Sequence, residues 1–458
     1  MKSFDIINPA TGGVVGSAVD AGPDDARAAI ERSVAAFPTW KAKTAFERAE
    51  VLRRWRDLIL DDEDTIARLM TSEMGKPITE SRGEVRYAAG FVEWYAEEAK
   101  RAYGDIIPSH VAAKRLLVTR QPVGPVYAVT PWNFPSAMVT RKVAPALAAG
   151  CTVVLKPAEQ SPLTAVRLAA LWVEAGGSPD VFQVLTTSDP AAISEPFFAD
   201  PRVRKLTFTG STEVGKLLYA QAARTVKRVS LELGGHAPFL VFEDADLDHA
   251  VRQVMATKFR NAGQTCVCAN RIYVHDSIRE AFVARLSEAV RAVRVGDPLS
   301  DETQVGPLVD QAGLDKVVAH VTDALSKGAR ATVGGRARTG LYFEPTVLVG
   351  VTAGMRILEE ETFGPVAPII GFTSEDEVVA AANNTPFGLA AYLWTRDIGR
   401  AFRVAEALDY GIVGVNDGLP STPHAPFGGV KASGIGREGG RWGLDEYLDV
   451  KYVSIALP

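Results

Sequence analysis

The residues best suited to chemistry crowd into Asn261-Ala-Gly-Gln-Thr-Cys266-Val-Cys268-Ala-Asn270, a polar loop with one glycine that runs into an apolar stretch. A thiol on such a loop is within reach of a small molecule, and its thiolate is a strong nucleophile. A cysteine is as readily a small buried hydrophobe, so the loop by itself leaves both readings open. Two further segments offer partners. Glu232-Leu-Gly-Gly235 puts a carboxylate at the end of an apolar stretch, where it can act as a general base or stay a solvated loop charge. Pro131-Trp-Asn-Phe-Pro135 fixes Asn133 between two prolines, so its amide can donate a hydrogen bond in a set direction or simply shape a turn.

A nucleophile, a base and a fixed donor need elements that bring distant segments together. Segments 126–129, 152–155, 181–185, 205–208 and 229–233 read as strands, with helical patterns at 138–148, 163–174 and 214–223. This alternation predicts a parallel, doubly wound sheet, which takes ligands beyond the carboxyl ends of its strands. The loops at Pro131, Lys156 and Gly210 are therefore expected to meet at one crevice. Phe208-Thr-Gly210-Ser-Thr-Glu-Val-Gly215-Lys216 has the glycines and lysine of a triphosphate loop, but Leu217 stands where a magnesium-binding hydroxyl belongs. Its strand, glycine turn and helix still suit a phosphate at a helix N-terminus, and hence a dinucleotide. The usual G-x-G-x-x-G fingerprint is absent. Elsewhere, helical spacing dominates 23–104, and 114–121 alternates like a hairpin strand. A second α/β set begins near Pro238, with strands at 239–242, 271–275 and near Val366 and Ile412, and 447–457 reads as a closing strand.

At 458 residues the chain is long enough for at least two domains. Its 47% hydrophobic and 23% charged residues and net charge of -5 exclude global disorder and offer nucleic acid no basic field. The longest apolar stretch, around 143–155, is broken by Pro145 and Gly150 and is too short to span a bilayer. The first twelve residues lack the features of a secretory signal, so a cytoplasmic protein with reduced thiols is expected. Two cysteines one residue apart and six dispersed histidines suit no zinc site, and no metal is expected.

Together these segments resemble the aldehyde dehydrogenase superfamily. Nearly the whole chain takes part: Ile7-Asn-Pro-Ala-Thr-Gly12, Pro131-Trp-Asn-Phe-Pro135, Lys156-Pro-Ala-Glu159, Phe208-Thr-Gly-Ser211, Leu231-Glu-Leu-Gly-Gly235, Gly263-Gln-Thr-Cys266, Glu361-Thr-Phe-Gly-Pro365, Asn384-Thr-Pro-Phe-Gly388 and Pro426-Phe-Gly-Gly429. The resemblance implies an α/β fold with a variant Rossmann dinucleotide-binding domain at 1–103 and 123–234, which accounts for the missing fingerprint. It places an α/β catalytic domain at 235–427 and a small β oligomerisation element at 104–122 and 428–458, in a homodimer or homotetramer. By the same resemblance, Cys266 is the nucleophile, Glu232 the general base, and Asn133 one arm of an oxyanion hole beside the Cys266 backbone amide. Lys156 and Glu159 are adenosine-ribose contacts, Ser211 with Gly210 a pyrophosphate contact, and Glu361 and Phe363 contacts to the nicotinamide riboside, with Trp132 in the same crevice.

Within the family, Phe259-Arg-Asn-Ala-Gly-Gln-Thr-Cys-Val-Cys-Ala-Asn-Arg271 is similar to succinate-semialdehyde dehydrogenases. That similarity implies that Arg141 and Arg260 grip a distal carboxylate, helped by Ser421, as bidentate guanidinium groups can. Structural ion pairs are the other use for two such arginines. Pro420-Ser-Thr-Pro-His424 departs from that group's loop and is expected to reshape the pocket entrance, which keeps glutarate semialdehyde and sulfolactaldehyde as alternative substrates. Glu159 should accept from ribose hydroxyls and repel a 2′-phosphate, predicting NAD over NADP, while Lys156 leaves NADP open. Cys266 and Cys268, flanking Val267, resemble pairs that oxidise to an inactivating disulfide; packing is the competing role for Cys268. A non-catalytic protein of this fold is the rival reading, and an acylating coenzyme A reaction is opposed by the hydrolytic base at Glu232.

Overall fold

The computed structural model describes residues 2–458, which build two large, mostly parallel sheets and two small antiparallel ones. In the first, Val126–Val129 sits in the interior. Val153–Lys156 and then Phe182–Val184 are added on one side, and Lys205–Thr209 and then Arg228–Glu232 on the other, all parallel. The direction of growth reverses between Val126–Val129 and Lys205–Thr209. The crevice beyond their carboxyl ends is where a doubly wound sheet takes its ligand.

Local chemistry explains these elements. Every residue of Val126–Val129, Val153–Lys156 and Lys205–Thr209 is buried, as strands covered on both faces require. Helix Ala137–Ala149 is buried along its whole length and stops at Gly150, whose φ of 98° is left-handed. Four helices, Pro23–Ala42, Ala45–Asp61, Glu63–Met74 and Ile78–Glu98, form the predicted helical region. The second starts with a reciprocal capping box between Thr44 and Glu47. Trp40 and Trp55 each meet Trp172 edge-on, with ring centroids 5.6 Å apart, and tie this layer to helix Pro162–Glu174.

The second sheet runs Arg330–Val333, Thr346–Val349, Val366–Phe372, Ala269–His275, Ala237–Val241, Ala390–Trp394, Ile412–Val415, parallel except at the first strand. Strand Ala390–Trp394 was not anticipated. Ala-Ala-Tyr-Leu-Trp is a short, wholly buried apolar run between two partners, so it carries no period to read.

Leu448–Ala456 pairs along its length with Lys114–Pro122, which also pairs with Asp105–Ile107. The stretch 428–458 was expected to belong to this small element as a whole, and it does not. Gly434–Ile435 pairs antiparallel with Glu232 and Leu231, covering the open edge of the first sheet beside the expected base. The hairpin of Ser3–Ile7 with Val14–Val19 was also not foreseen. Among the described residues, no helix is long and apolar enough to cross a membrane.

Candidate active site

Only the segment Leu233 to His236 separates the last parallel strand of the first sheet from Ala237–Val241 of the second. Here three loops pass too close for side chains. A Cβ on Gly235 would lie 2.2 Å from the Cys266 carbonyl oxygen, and one on Gly263 would lie 2.2 Å from the Gly364 carbonyl oxygen. The glycines of three separate motifs thus mark where the Cys266 loop meets the Glu232 and Glu361 loops.

The approach to Cys266 is strained. Asn261, Ala262 and Gly263 have φ of 50°, 54° and 75°, and each non-glycine residue held there costs about 1–3 kcal/mol. Neighbours hold the turn: the Asn261 backbone N–H donates to Glu80 Oε2 at 2.8 Å, and Asn261 Nδ2 donates to the Asn133 carbonyl at 3.0 Å. Asn133 answers, its Nδ2 donating to the Gln264 carbonyl at 3.1 Å, two residues before Cys266.

Cys266 is half-buried and opens on a cavity of about 380 Å³, whose walls include Tyr87, Phe134, Arg141, Arg260, Ser421 and Phe427. Burial pushes the thiol up to about 12, with the Arg141 charge opposing the shift and Glu361 and Glu232 adding to it. Glu232 is 3% exposed and neither carboxylate oxygen has a hydrogen-bond partner. Burial and the neighbouring Glu438 hold its pKa well above the ordinary carboxylate range. Unsatisfied buried polar atoms gather around Cys266: Asn133 Oδ1, Arg260 Nε, Thr265 Oγ1 and both oxygens of Glu232. Such a concentration calls for a ligand or a function.

The dinucleotide crevice lies at the predicted strand ends. Ser211 caps helix Thr212–Ala223, its Oγ accepting from Val214 N at 3.3 Å, and the Gly210 N–H donates to the Glu232 carbonyl at 3.1 Å. Lys156, ending its strand, pairs with Glu159. Trp132 meets Phe363 edge-on at 5.6 Å, and Phe363 has a left-handed φ of 55°. Glu361 Oε1 accepts from Gly235 N at 3.1 Å, and burial raises its carboxyl to about 7. An exposed helix N-terminus to donate to a phosphate, a partly exposed carboxylate just past a strand end to accept from ribose hydroxyls, and an aromatic pair make a set that fits a nicotinamide dinucleotide.

The sequence pattern of the Aldehyde dehydrogenase family matches residues 1–453. The chain belongs to that family. It is 54% identical over 458 residues, all of this chain and 95% of the relative, to the NADP-dependent succinate-semialdehyde dehydrogenase GabD of Escherichia coli (strain K12). It is also 54% identical over 456 residues, 99% of this chain and 94% of the relative, to 3-sulfolactaldehyde dehydrogenase of Pseudomonas putida. A crystal structure of an aldehyde dehydrogenase from Brucella melitensis biovar abortus 2308 superposes with a TM-score of 0.99 at 53% identity, covering 100% of this chain and 94% of that one.

In this aldehyde dehydrogenase, Cys266, Arg141, Arg260 and Ser421 line one cavity, Asn133 is bonded to the Cys266 loop through the Gln264 carbonyl, and the buried Glu232 is near enough to act on the thiol's charge. Three expectations need qualification. Arg141 faces the cavity but is already committed: its Nη2 lies 2.7 Å from Glu438 Oε2, both buried, and Lys142 pairs with the other Glu438 oxygen. Cys268 is fully buried and points away, its sulfur 3.3 Å from Lys258 Nζ, while Val267 takes the cavity-facing place. All three cysteines are free thiols. His424 is exposed and turns to Thr422 and the Trp94 ring rather than lining the cavity.

Sequence reasoning missed Glu438, Lys76, Glu80 and Glu84. Glu80 and Glu84 are four residues apart on one face of a helix, where charged residues ordinarily meet solvent, and Lys76 stands just before that helix, so none of the three carries a local signal. Glu438 sits in a glycine-rich stretch with no local signal.

Proposed function

We propose that this NAD(P)-dependent aldehyde dehydrogenase oxidises a short aldehyde carrying a distal acid group, succinate semialdehyde first, and that Cys266, Asn133 and Glu232 carry the reaction. The observation behind this reading is the pairing of a cavity-facing thiol with the Arg260 guanidinium. Arg260 makes no ion pair among the described residues, its Nε is unsatisfied, and it stacks 5.3 Å over Phe134. A half-buried guanidinium that faces a cavity with no ion-pair partner is free to take a ligand's acid group as its partner.

The Cys266 thiol gives up its proton to solvent water as Sγ adds to the aldehyde carbon. The oxyanion that forms lies between the Asn133 amide and the Cys266 backbone N–H, donors worth roughly 3–4 kcal/mol each when aimed at developing charge. A bound dinucleotide supplies the acceptor for the hydride that leaves the same carbon, which turns the adduct on Cys266 into a thioester. Glu232 then takes a proton from water, which attacks the thioester and frees the acid. Its raised pKa makes it a stronger base than an ordinary carboxylate, and its deprotonated fraction grows as pH rises through that raised value.

Arg260 and the Ser421 hydroxyl hold the substrate's acid. The 54% identity to a 3-sulfolactaldehyde dehydrogenase and 52% to a glutarate-semialdehyde dehydrogenase support sulfolactaldehyde and glutarate semialdehyde as the competing substrates. Glu159 supports NAD as the preferred dinucleotide through its carboxylate; its ion pair with Lys156 and the NADP-dependence of the E. coli relative oppose that preference. A kcat/KM higher with NADP than with NAD would reverse it. The central test is NADH formation from the three acid aldehydes and an uncharged one of similar length, by the wild type and Cys266→Ala. Turnover confined to the wild type and highest with an acid is expected. An inactive wild type would leave a non-catalytic protein of this fold, and acyl-coenzyme A among the products would point to acylation.

A further inference from the structure

Beneath the two loops that carry the proposed oxyanion donors lies a charged cluster with no part in the chemistry described so far. Lys76 precedes helix Ile78–Glu98, and Glu80 and Glu84 stand on its first turns. The Lys76 and Glu84 side chains are 1% and 2% exposed and form an ion pair. Taking both charges out of water costs several kcal/mol per ion unless each is fully hydrogen-bonded. Their remaining bonds all go to backbone atoms. Lys76 Nζ donates to the Asn133 carbonyl at 2.8 Å, while Glu84 Oε1 accepts from Ser136 N at 2.9 Å and Ala137 N at 3.1 Å. Glu80 Oε2 accepts from Asn261 N at 2.8 Å, at the left-handed turn that leads to Cys266.

We propose that Lys76, Glu80 and Glu84 are positioning residues that lock the Asn133 loop and the Cys266 loop into one register and so aim the oxyanion donors. The inference rests on Asn133 acting as an oxyanion donor. The Asn133 carbonyl accepts from two donors, Lys76 Nζ and Asn261 Nδ2, which fixes the tilt of that peptide and hence the direction of the side chain. Glu84 pins the residues immediately after the Pro131–Pro135 turn, and Glu80 offsets strain on the opposite loop. Lys76 also stacks 3.8 Å over Phe134, which fills the space between the two loops. Burial raises the Glu80 carboxyl to about 7, while Lys76, the bond from the Asn261 N–H and Arg260 oppose the rise and favour the carboxylate.

The alternative role for Lys76, attraction of the substrate's acid, makes a different prediction, because an oxyanion forms on every aldehyde. The test is the single-turnover rate of NADH appearance for wild type, Lys76→Met, Glu84→Gln, Asn133→Ala and Lys76→Met/Asn133→Ala, with succinate semialdehyde and an uncharged aldehyde. Asn133→Ala should slow the step by about 10²–10³-fold. Lys76→Met should slow it by about 10–100-fold on both substrates with KM changed less than about twofold, the size expected when a reacting group is misaimed by a fraction of an ångström. Because Lys76 acts through Asn133, the double variant should be no more than about twofold slower than Asn133→Ala. Glu84→Gln keeps shape and should show a smaller loss in the same direction, which carries the test if Lys76→Met does not fold. Rates that multiply in the double variant, a loss confined to the acid substrate, or wild-type rates in both single variants would overturn the brace. A wild-type rate in Asn133→Ala would instead remove the oxyanion assignment, and the brace with it.

Discussion

The cavity at Cys266 has two walls built from the same residue types to different ends. On one, Arg141 and Lys142 share Glu438 in buried ion pairs, and these charges act on the buried Glu232. On the other, Arg260 stacks on Phe134, lines the cavity with Ser421 and makes no ion pair among the described residues, although the Glu80 carboxyl is near enough to feel its charge. Both arginines were expected to grip a substrate acid, yet only Arg141 already lies within ion-pair distance of a buried carboxylate. If Arg260 is the binding group and Arg141 scaffold, as proposed, the ion pair to Glu438 and not the guanidinium itself separates them.

Breaking the paired wall should have the largest effect. Glu438 is held ionised, its carboxyl kept below the ordinary range by Lys142 and Arg141 against the pull of burial. Removing it strands two buried cations, a loss of about 3–5 kcal/mol for a broken buried pair. Glu438→Gln should therefore unfold at a clearly lower temperature by calorimetry. The same variant takes a negative charge away from Glu232 and leaves two positive ones, and both changes favour its deprotonated form. The rising limb of thioester hydrolysis against pH should move to lower pH. A limb that stays in place, or moves up, would mean the two carboxylates are not coupled and the paired wall does not tune the base.

Disabling the open wall should leave the fold alone and alter selectivity. Charged hydrogen bonds are worth about 1.5–3 kcal/mol, so Arg260→Ala should lower kcat/KM for acid aldehydes by roughly 10–150-fold relative to an uncharged aldehyde. Arg141→Ala should instead resemble the Glu438 variant, with lost stability and a shifted pH profile. Equal loss on charged and uncharged aldehydes in Arg260→Ala, or acid-specific loss only in Arg141→Ala, would invert the comparison.

The difference between the walls also marks where the sequence is readable. Strand-helix alternation from Val126 to Glu232 is visible because parallel strands buried on both faces are apolar runs and the helices between them keep their period. Cys266, Asn133 and Glu232 stand out because polar residues at the ends of such runs have few structural reasons to be there. Glu438 does not. Its meaning comes from Arg141 and Lys142 nearly three hundred positions earlier, and pairing at that separation leaves no local pattern. Glu80 and Glu84 share a helix face that Lys76 precedes, and whether such charges meet water or the backbone of two loops is decided by packing. Ala390–Trp394 stayed hidden because a central strand with both faces buried has lost its alternation.

The smallest effect tests how far the open wall extends. Ser421 follows Pro420 in a loop that lines the cavity beyond Arg260, and a hydroxyl there can add one neutral hydrogen bond to an acid already neutralised by the guanidinium. Such a bond is worth about 0.5–1.5 kcal/mol, so Ser421→Ala should cost roughly 2–10-fold in kcat/KM for acid aldehydes, mostly in KM. With Arg260→Ala already in place, the acid has lost its anchor and Ser421 has little left to hold, so the second substitution should cost less than it does alone. Steady-state kinetics on the single and double variants measure this coupling. If the two losses multiply, Ser421 and Arg260 contact different parts of the substrate, and the acid-binding end of the cavity is Arg260 alone.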